Sequence, residues 1–295
     1  MKLVVDSLLS QQQAGMPLHI LDSLQPYAPH DRSLVDAHDH AGALSLAFFM
    51  SSERRQALER LTRQHRQLLE STPMIDACSG PDPFWLGASV QPSSLILVET
   101  SPKVAAGLKA RDGSVQKRVD VVCGDIFSDS AKDEVDTHLA GQSANLAVLG
   151  NSYSNYPSGA WRKIVDRFVA IGNLVIIDTE CLESPEDFAL IAGRYGQKAE
   201  FHFRVLADLG VPRGAVVPKV RFDPDSFEVT IAFEPCSTLI LASGETTVSV
   251  PAGMEVAVFK SRKPSLARLH SEWRDFEPMA TQRHGLSVQT ILKRA

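Results

Sequence analysis

Three acidic residues stand at the ends of short apolar runs, and their order suggests how a nucleoside cofactor could be held. Asp76 lies in the run Met74–Cys78, just before Ser79 and Gly80. Glu99 ends Leu95–Glu99 and lies 19 residues after Gly80. That is close to the offset of about 20 at which an acidic side chain grips ribose hydroxyls. Asp125 follows Val119–Cys123, where a carboxylate can accept the exocyclic amine of adenine while Ile126 and Phe127 pack on the ring. The small-residue turn Ala77-Cys78-Ser79-Gly80 lets backbone come close to a ligand, and Asp76 is placed to hold an ammonium. The turn is not GxGxxG, since Gly80 is its only glycine.

Two further strand ends carry polar groups. Asn145–Leu149 runs into Gly150-Asn151-Ser152-Tyr153-Ser154-Asn155-Tyr156-Pro157, an edge rich in amides and small residues that reads as a substrate-facing loop. Leu174–Asp178 continues to Thr179 and Glu180, bringing two more carboxylates. Asn155 and Tyr153 suit the task of orienting a neutral amine, with Asp178 beside them. Asn155 also fits a turn residue bonded to its own backbone, and Asp178 and Glu180 also fit caps for a helix starting near Ser184. Cys78 and Cys123 flank the cofactor turn without a basic neighbour to lower their pKa, and read as small buried hydrophobes.

These residues need a sheet to position them. Five apolar runs of about five residues alternate with amphipathic stretches, the pattern of βαβ units around a parallel sheet covered on both faces. Ser158–Ile171 is one such helix, closed by Gly172. Upstream, Val4–Gln13 and Ser51–Glu70 read as helices. Ser51 or Ser52 caps the second, and Leu58, Leu61, His65 and Leu68 share its face. Downstream, Pro185–Leu209 reads as one or two helices. Strand-like runs follow at Ala215–Phe222, Ser226–Phe233, Thr238–Leu241, Thr246–Val250 and Glu255–Lys260, with turns at 222–226 and 242–245. A helix from Ser265 to about Phe276 and a strand Leu286–Leu292 close the chain. The domain division implied is 1–72 helical, 73–184 cofactor core, 185–264 accessory α+β, and 265–295 completing the core sheet.

Composition narrows the function classes. The 295 residues are 44% hydrophobic and 22% charged, enough for a sizeable core. The net charge of −5 and a pI near 6.0 give no general attraction for nucleic acid. No apolar run reaches the roughly 18–20 residues of a membrane span. The longest, Ala41–Met50, is broken by Gly42 and Ser45 and has no basic flank, so it reads as neither signal nor anchor. Four cysteines without CxxC spacing argue against zinc and a disulfide framework, so a cytoplasmic protein is expected. His38 and His40 form an HxH pair with no third ligand in view; a lid segment touching substrate fits better than a metal.

LGNSYSNYP before a helix, the strand ending IIDTE, FHFRVLADLG and GETTVSVPAGMEVAVFKSRKPS together resemble the histidine-specific, ergothioneine-type amino-acid Nα-methyltransferases. The resemblance runs from Pro73 to the C-terminus. It implies an α/β fold, the Rossmann-like class I methyltransferase sheet, with an N-terminal helical segment and an inserted β-containing substrate domain. It also implies S-adenosyl-L-methionine as cofactor and a free amino acid as substrate, in a monomer or homodimer. The family's loop glycine and its amine-binding asparagine fall on Gly150 and Asn155, with Asn151 and Glu180 as further substrate contacts. Ser261 matches a serine that reads the substrate ring, and Phe259 stands where the family has a glutamate. The family's N-terminal tyrosine-rich segment has no counterpart: Tyr27 is the only tyrosine there. Tyr195 lines the acceptor pocket or simply covers the sheet, and Arg262 and Lys263 bind a carboxylate or form a solvated turn. Two other classes stay open. One is attack on the aminocarboxypropyl chain of the same cofactor, including ring closure to azetidine-2-carboxylate with loss of methylthioadenosine. The other is a non-catalytic ligand-binding protein.

Overall fold

A computed structural model describes residues 2–14, 18–19, 51–111, 118–156, 158–197, 199–243 and 245–295. His38, His40 and Tyr27 lie outside the described residues. The described chain divides into two compact units. One takes its residues from 2–14, 18–19 and 182–263, the other from 51–181 and 264–295.

The second unit is built on seven strands: β2 (Met74–Ala77), β3 (Leu95–Glu99), β4 (Val119–Cys123), β5 (Asn145–Val148), β6 (Leu174–Glu180), β12 (Phe276–His284) and β13 (Ser287–Arg294). Their order across the sheet is β12-β13-β6-β5-β2-β3-β4. β4, β3, β2, β5 and β6 run parallel, and β13 pairs antiparallel with β6. The five apolar runs of the sequence are these five parallel strands, and burial on both faces explains why they do not alternate. The order reverses between β2 and β5, which makes their carboxyl ends the place for a ligand in an open α/β sheet.

The pleat sorts residues to two faces. Ile75, Ala77, Ile96, Val98 and Ile177 pack with Val135, Trp161, Phe168 and Trp273, which are carried by the helices α5 (Asp129–Leu139) and α6 (Ser158–Phe168) and by the segment after α9 (Leu266–Glu272). Met74, Leu95, Leu97, Ala147, Ile176 and Ile291 face the other way, against Ala105 and Leu108 of α4 (Pro102–Arg111) and Leu58 and Leu61 of α2 (Ser52–Gln64). By the same alternation, Asp76, Asp178, Glu180, Ser287 and Gln289 stand on the α2 face. The buried carboxylates of β2 and β6 thus share the face that α2 covers, whereas Asp120 of β4 stands on the other face beside His138 of α5.

The long N-terminal helix expected to Glu70 is interrupted. Ser51 Oγ accepts from the Arg54 N–H at its start, as a cap should. At His65 the backbone leaves helical angles (φ −116°), and α3 (Arg66–Glu70) begins a new turn. The break shifts the buried stripe by one residue, so Leu69 is buried and Leu68 faces solvent. The C-terminal region also differs from expectation. The helix ends at Glu272, and β12 follows as an edge strand. Its Glu277, Pro278, Gln282, Arg283 and His284 hide it from an apolar-pattern reading, and Pro278 is tolerated at an edge beside an irregular register.

The first unit holds a four-stranded sheet, order β1-β11-β8-β7, made of β1 (Leu18–His19), β7 (Val216–Asp223), β8 (Glu228–Pro235) and β11 (Val256–Arg262). A separate hairpin pairs β9 (Leu239–Ser243) with β10 (Thr246–Val250). Helices α1 (Lys2–Gln13), α7 (Pro185–Gln197) and α8 (Ala199–Asp208) complete it. The turn expected at 222–226 joins β7 and β8, with Asp223 Oδ1 accepting from the Asp225 N–H at 2.9 Å. No helix among the described residues is long and apolar enough to cross a membrane.

Trp85, Trp161 and Trp273, the only tryptophans, all sit buried in the seven-stranded unit, so their fluorescence follows its unfolding. Leu58→Ala is expected to cost that unit about 2–5 kcal/mol in urea unfolding. Leu68→Ala should stay within about 0.5 kcal/mol. Equal losses at the two positions would contradict the shifted stripe.

Candidate active site

The carboxyl end of β2 turns sharply. Cys78 and Gly80 both adopt positive φ (59° and 67°), a conformation costly for the cysteine and natural for the glycine. The turn is tied to its neighbour: Ser79 N–H donates to Val98 O at 3.1 Å, and Gly80 N–H donates to Glu99 Oε2 at 2.9 Å. Glu99 Oε1 also accepts from the Ser101 N–H at 2.9 Å. Glu99 therefore ties the turn after β2 to the segment that follows β3. Asp125 is half-buried, with Oδ1 accepting from the Phe127 N–H at 3.0 Å, and burial raises its pKa. Ile126 is turned into the core, while Phe127 rests on Tyr156 and Trp161 at centroid distances of 4.4 and 4.9 Å.

Asp76 has the most unusual environment. It is fully buried, and its Oδ1 has no hydrogen-bond partner. Burial first, and the nearby Glu99 second, push its carboxyl up to about 8. A buried acceptor left open is costly unless something brought in from outside completes it. Ser79 Oγ, two residues into the turn after this strand, is a second buried polar atom without a partner. The Cys78 thiol is held well above the ordinary range by burial and then by the carboxylates of Glu99, Asp125 and Asp76, which leaves it a neutral thiol. Cys123 is exposed rather than buried, and all four cysteines are free.

The loop after β5 is organised by a residue of α2. Arg54 is buried, its Nε donating to Asp178 Oδ1 at 2.8 Å and its NH2 group to Asn151 Oδ1 at 3.1 Å. Asp178 accepts in addition from the Gly150 N–H at 3.1 Å and from Ser287 Oγ at 2.9 Å. Gln289 Nε2 closes the network on Arg54 O at 2.9 Å. Gly150 and Asn151 both take positive φ (67° and 71°), and the Asn151 N–H donates to Asp178 O at 3.1 Å.

Two of the expected catalytic groups have buried partners of their own. The carboxylate of Asp178 accepts from Arg54, Gly150 and Ser287, and so ties the loop after β5 to α2 and β13. Tyr153 is the second. It is fully buried between Trp161 and Trp273, its hydroxyl donating to Glu272 Oε2 at 2.6 Å and accepting from Trp273 Nε1 at 3.1 Å. Asn155 ends the same short helical turn and is half-buried. Glu180 is buried at the end of β6. Neither it nor Asp178 caps α7: Ser184 does so, accepting from the Asp187 N–H.

Tyr195 and Ser261 belong to the other unit, where both are buried. Tyr195 packs edge-on against Phe259 at 5.8 Å, and Lys263 Nζ lies 5.6 Å from its ring centre. Lys263 is fully buried, which excludes the solvated turn. Among the described residues, no cluster of three or more His, Cys, Asp or Glu could hold a metal.

The sequence reading missed Arg54, Ser79, Ser287, Gln289 and Glu272. One signal was present for Arg54: it lies four residues before Leu58, on the apolar stripe of α2, where a charge needs a buried partner.

No protein family matches the chain, and no curated protein matches it in sequence. Its likeness is to solved structures. An S-adenosylmethionine-dependent methyltransferase from Clostridium acetobutylicum superimposes with a TM-score of 0.51 at 8% identity, covering 88% of this chain and 99% of that one. A 1,6-didemethyltoxoflavin-N1-methyltransferase from Burkholderia thailandensis gives 0.47 at 11% identity, covering 92% of each chain. The first likeness shows the fold alone: a Rossmann-like α/β sheet like that of this methyltransferase.

Two outcomes follow from this geometry. Arg54→Ala strands the buried Asp178 carboxylate and should cost about 3–5 kcal/mol in urea unfolding, whereas Arg54→Ala with Asp178→Asn should lose less than the sum of the two singles. Asp76, with its folded pKa raised from 3.8 to about 8, contributes fully below pH 4 and loses that contribution as pH rises towards 8. Asp76→Asn does not ionise, so the variant's Tm relative to the unmodified protein should climb between pH 4 and 8. A flat difference would mean that Asp76 is not held neutral.

Proposed function

We propose that the protein binds S-adenosylmethionine at the carboxyl ends of β2, β3, β4 and β5 and uses it to alkylate an amine, with the α-amine of a free amino acid or close derivative as acceptor. The observation that carries this is Asp76, a buried carboxyl with an open Oδ1 beside the Gly80 turn of a methyltransferase fold. A cation is what such a group accepts. The ammonium of the cofactor's amino-acid portion meets Asp76, the ribose lies against Glu99, and the adenine lies by Asp125. Bound there, the sulfonium supplies an electrophilic carbon. The chain's own work is to hold the nucleophile in line and keep water out. Asn155 at the rim of the β5 loop orients the amine, with Glu180 as a further contact. The resemblance of LGNSYSNYP and of the Ser261 segment to amino-acid Nα-methyltransferases supports an amino-acid acceptor, as do the buried Tyr195, Ser261 and Lys263 of the accessory unit. The net charge of −5 supports a small-molecule substrate over nucleic acid, and free thiols support a reducing cytoplasm.

One observation favours a second reading. A carboxylate whose pKa is raised to about 8 is basic enough to accept a proton from an ammonium. If Asp76 takes that proton, the freed amine can close on the carbon next to sulfur: the C–N bond forms as the C–S bond breaks, giving azetidine-2-carboxylate and methylthioadenosine.

Mass spectrometry on purified protein with S-adenosylmethionine, with and without a mixture of free amino acids, separates the readings. S-adenosylhomocysteine formed only with amino acids present establishes methyl transfer and reveals the acceptor by its added mass. Methylthioadenosine formed without an acceptor, above the non-enzymatic rate, establishes ring closure instead. Neither product in either mixture would reject both. Asp76→Asn should abolish ring closure, and should slow methyl transfer mainly through a higher KM for the cofactor.

A further inference from the structure

We propose that Arg54 is a positioning residue that sets the side-chain amide of Asn151 as a hydrogen-bond donor to the carboxylate of the bound amino-acid group. This rests on the reading that S-adenosylmethionine occupies the strand ends, and deepens it by assigning the recognition of the carboxylate.

The argument starts from what a guanidinium can do. It only donates, so the Asn151 atom that meets the Arg54 NH2 group at 3.1 Å must be the amide oxygen. That settles the orientation of the amide, which an isolated asparagine would leave open. Nδ2 is then the other end of a fixed group. It is buried in a residue only 3% exposed, and it has no partner. Asn151 cannot turn away to satisfy it. Its backbone is pinned by the bond from its N–H to Asp178 O, and Arg54 is itself held by Asp178 Oδ1.

Three buried side-chain atoms without partners lie on β2 and on the loops that leave the adjacent strands β2 and β5: Asp76 Oδ1, Ser79 Oγ and Asn151 Nδ2, in residues 1%, 8% and 3% exposed. Asp76 pairs with Ala147 in the β2–β5 register, and Asn151 follows Ala147 by four residues in the loop leaving β5. One is an acceptor suited to an ammonium, one a donor suited to a carboxylate, and a hydroxyl between them in kind can serve as either. That is the complement of an α-amino acid in its charged form. Arg54 does not touch the ligand in this scheme. It acts through Asn151, and a lysine in its place could pair with Asp178 or Asn151 but could not span both.

The test compares dissociation constants by calorimetry for S-adenosylmethionine, its decarboxylated analogue and 5′-methylthioadenosine. The unmodified protein should prefer S-adenosylmethionine to the decarboxylated analogue by about ten- to a hundredfold, the value of a hydrogen bond to a charged group. Asn151→Asp keeps the acceptor for Arg54 but replaces the donor with a carboxylate. It should erase or reverse that preference while leaving methylthioadenosine binding within about threefold. Arg54→Lys should reduce the preference in the same direction. Equal binding of the first two ligands by the unmodified protein would overturn the inference while leaving the cofactor reading intact. So would a loss in Asn151→Asp that is the same for all three ligands. Binding of none of the three would reject the cofactor reading and this inference with it. Should Asn151→Asp unfold, the unmodified protein and Arg54→Lys carry the comparison.

Discussion

The buried ion pair between Arg54 and Asp178 is the constraint on which the candidate site depends. Two charges removed from water are stable only when their geometry is good and their remaining hydrogen-bond groups are filled. Here both conditions bring distant parts of the chain together. Asp178 draws in the Gly150 N–H and the Ser287 hydroxyl, and Arg54 draws in the Asn151 amide, with its own carbonyl taking Gln289. An N-terminal helix, two parallel strands and the antiparallel strand β13 are thereby registered on one carboxylate. The strand-end loop that follows β5 has its unusual backbone, two successive residues at positive φ, because that carboxylate holds it there.

The same sheet handles its two acidic neighbours in opposite ways. Asp178 has both oxygens hydrogen-bonded, while Asp76, on the same face, has an Oδ1 without a partner. A protein normally neutralises or pairs a buried carboxylate. Asp76 is instead neutralised by its own burial, and the stability tied to that neutral form is lost as pH rises from about 4 towards 8.

Much of this was legible in the sequence, and what was not has identifiable causes. The parallel strands announce themselves as uninterrupted apolar runs because both faces are covered, and the order Asp76, Gly80, Glu99, Asp125 follows from strand-end spacing alone. Strand β12 carried no such signal, since an edge strand needs charge and proline more than hydrophobicity. His65 looked like one more helical position, and only the break there shows why Leu69 rather than Leu68 is buried. Tyr153 in a polar loop suggests a pocket, whereas its bonded hydroxyl lets the ring be buried among tryptophans, which no local pattern signals. Arg54 was passed over because arginine on a helix is commonly solvated, and its partner lies 124 positions away.

That separation has a consequence for how the protein is made. Ser287 is synthesised 109 residues after Asp178. At about 5–20 residues per second, the ribosome delivers it roughly 5–20 s later. During that interval strand β6 lacks the neighbour that covers its outer edge, and its carboxylate lacks one of its donors. The sheet cannot close as it emerges. Until β13 is made, the outer edge of β6 stays uncovered, and in that interval chaperone capture or aggregation competes with folding.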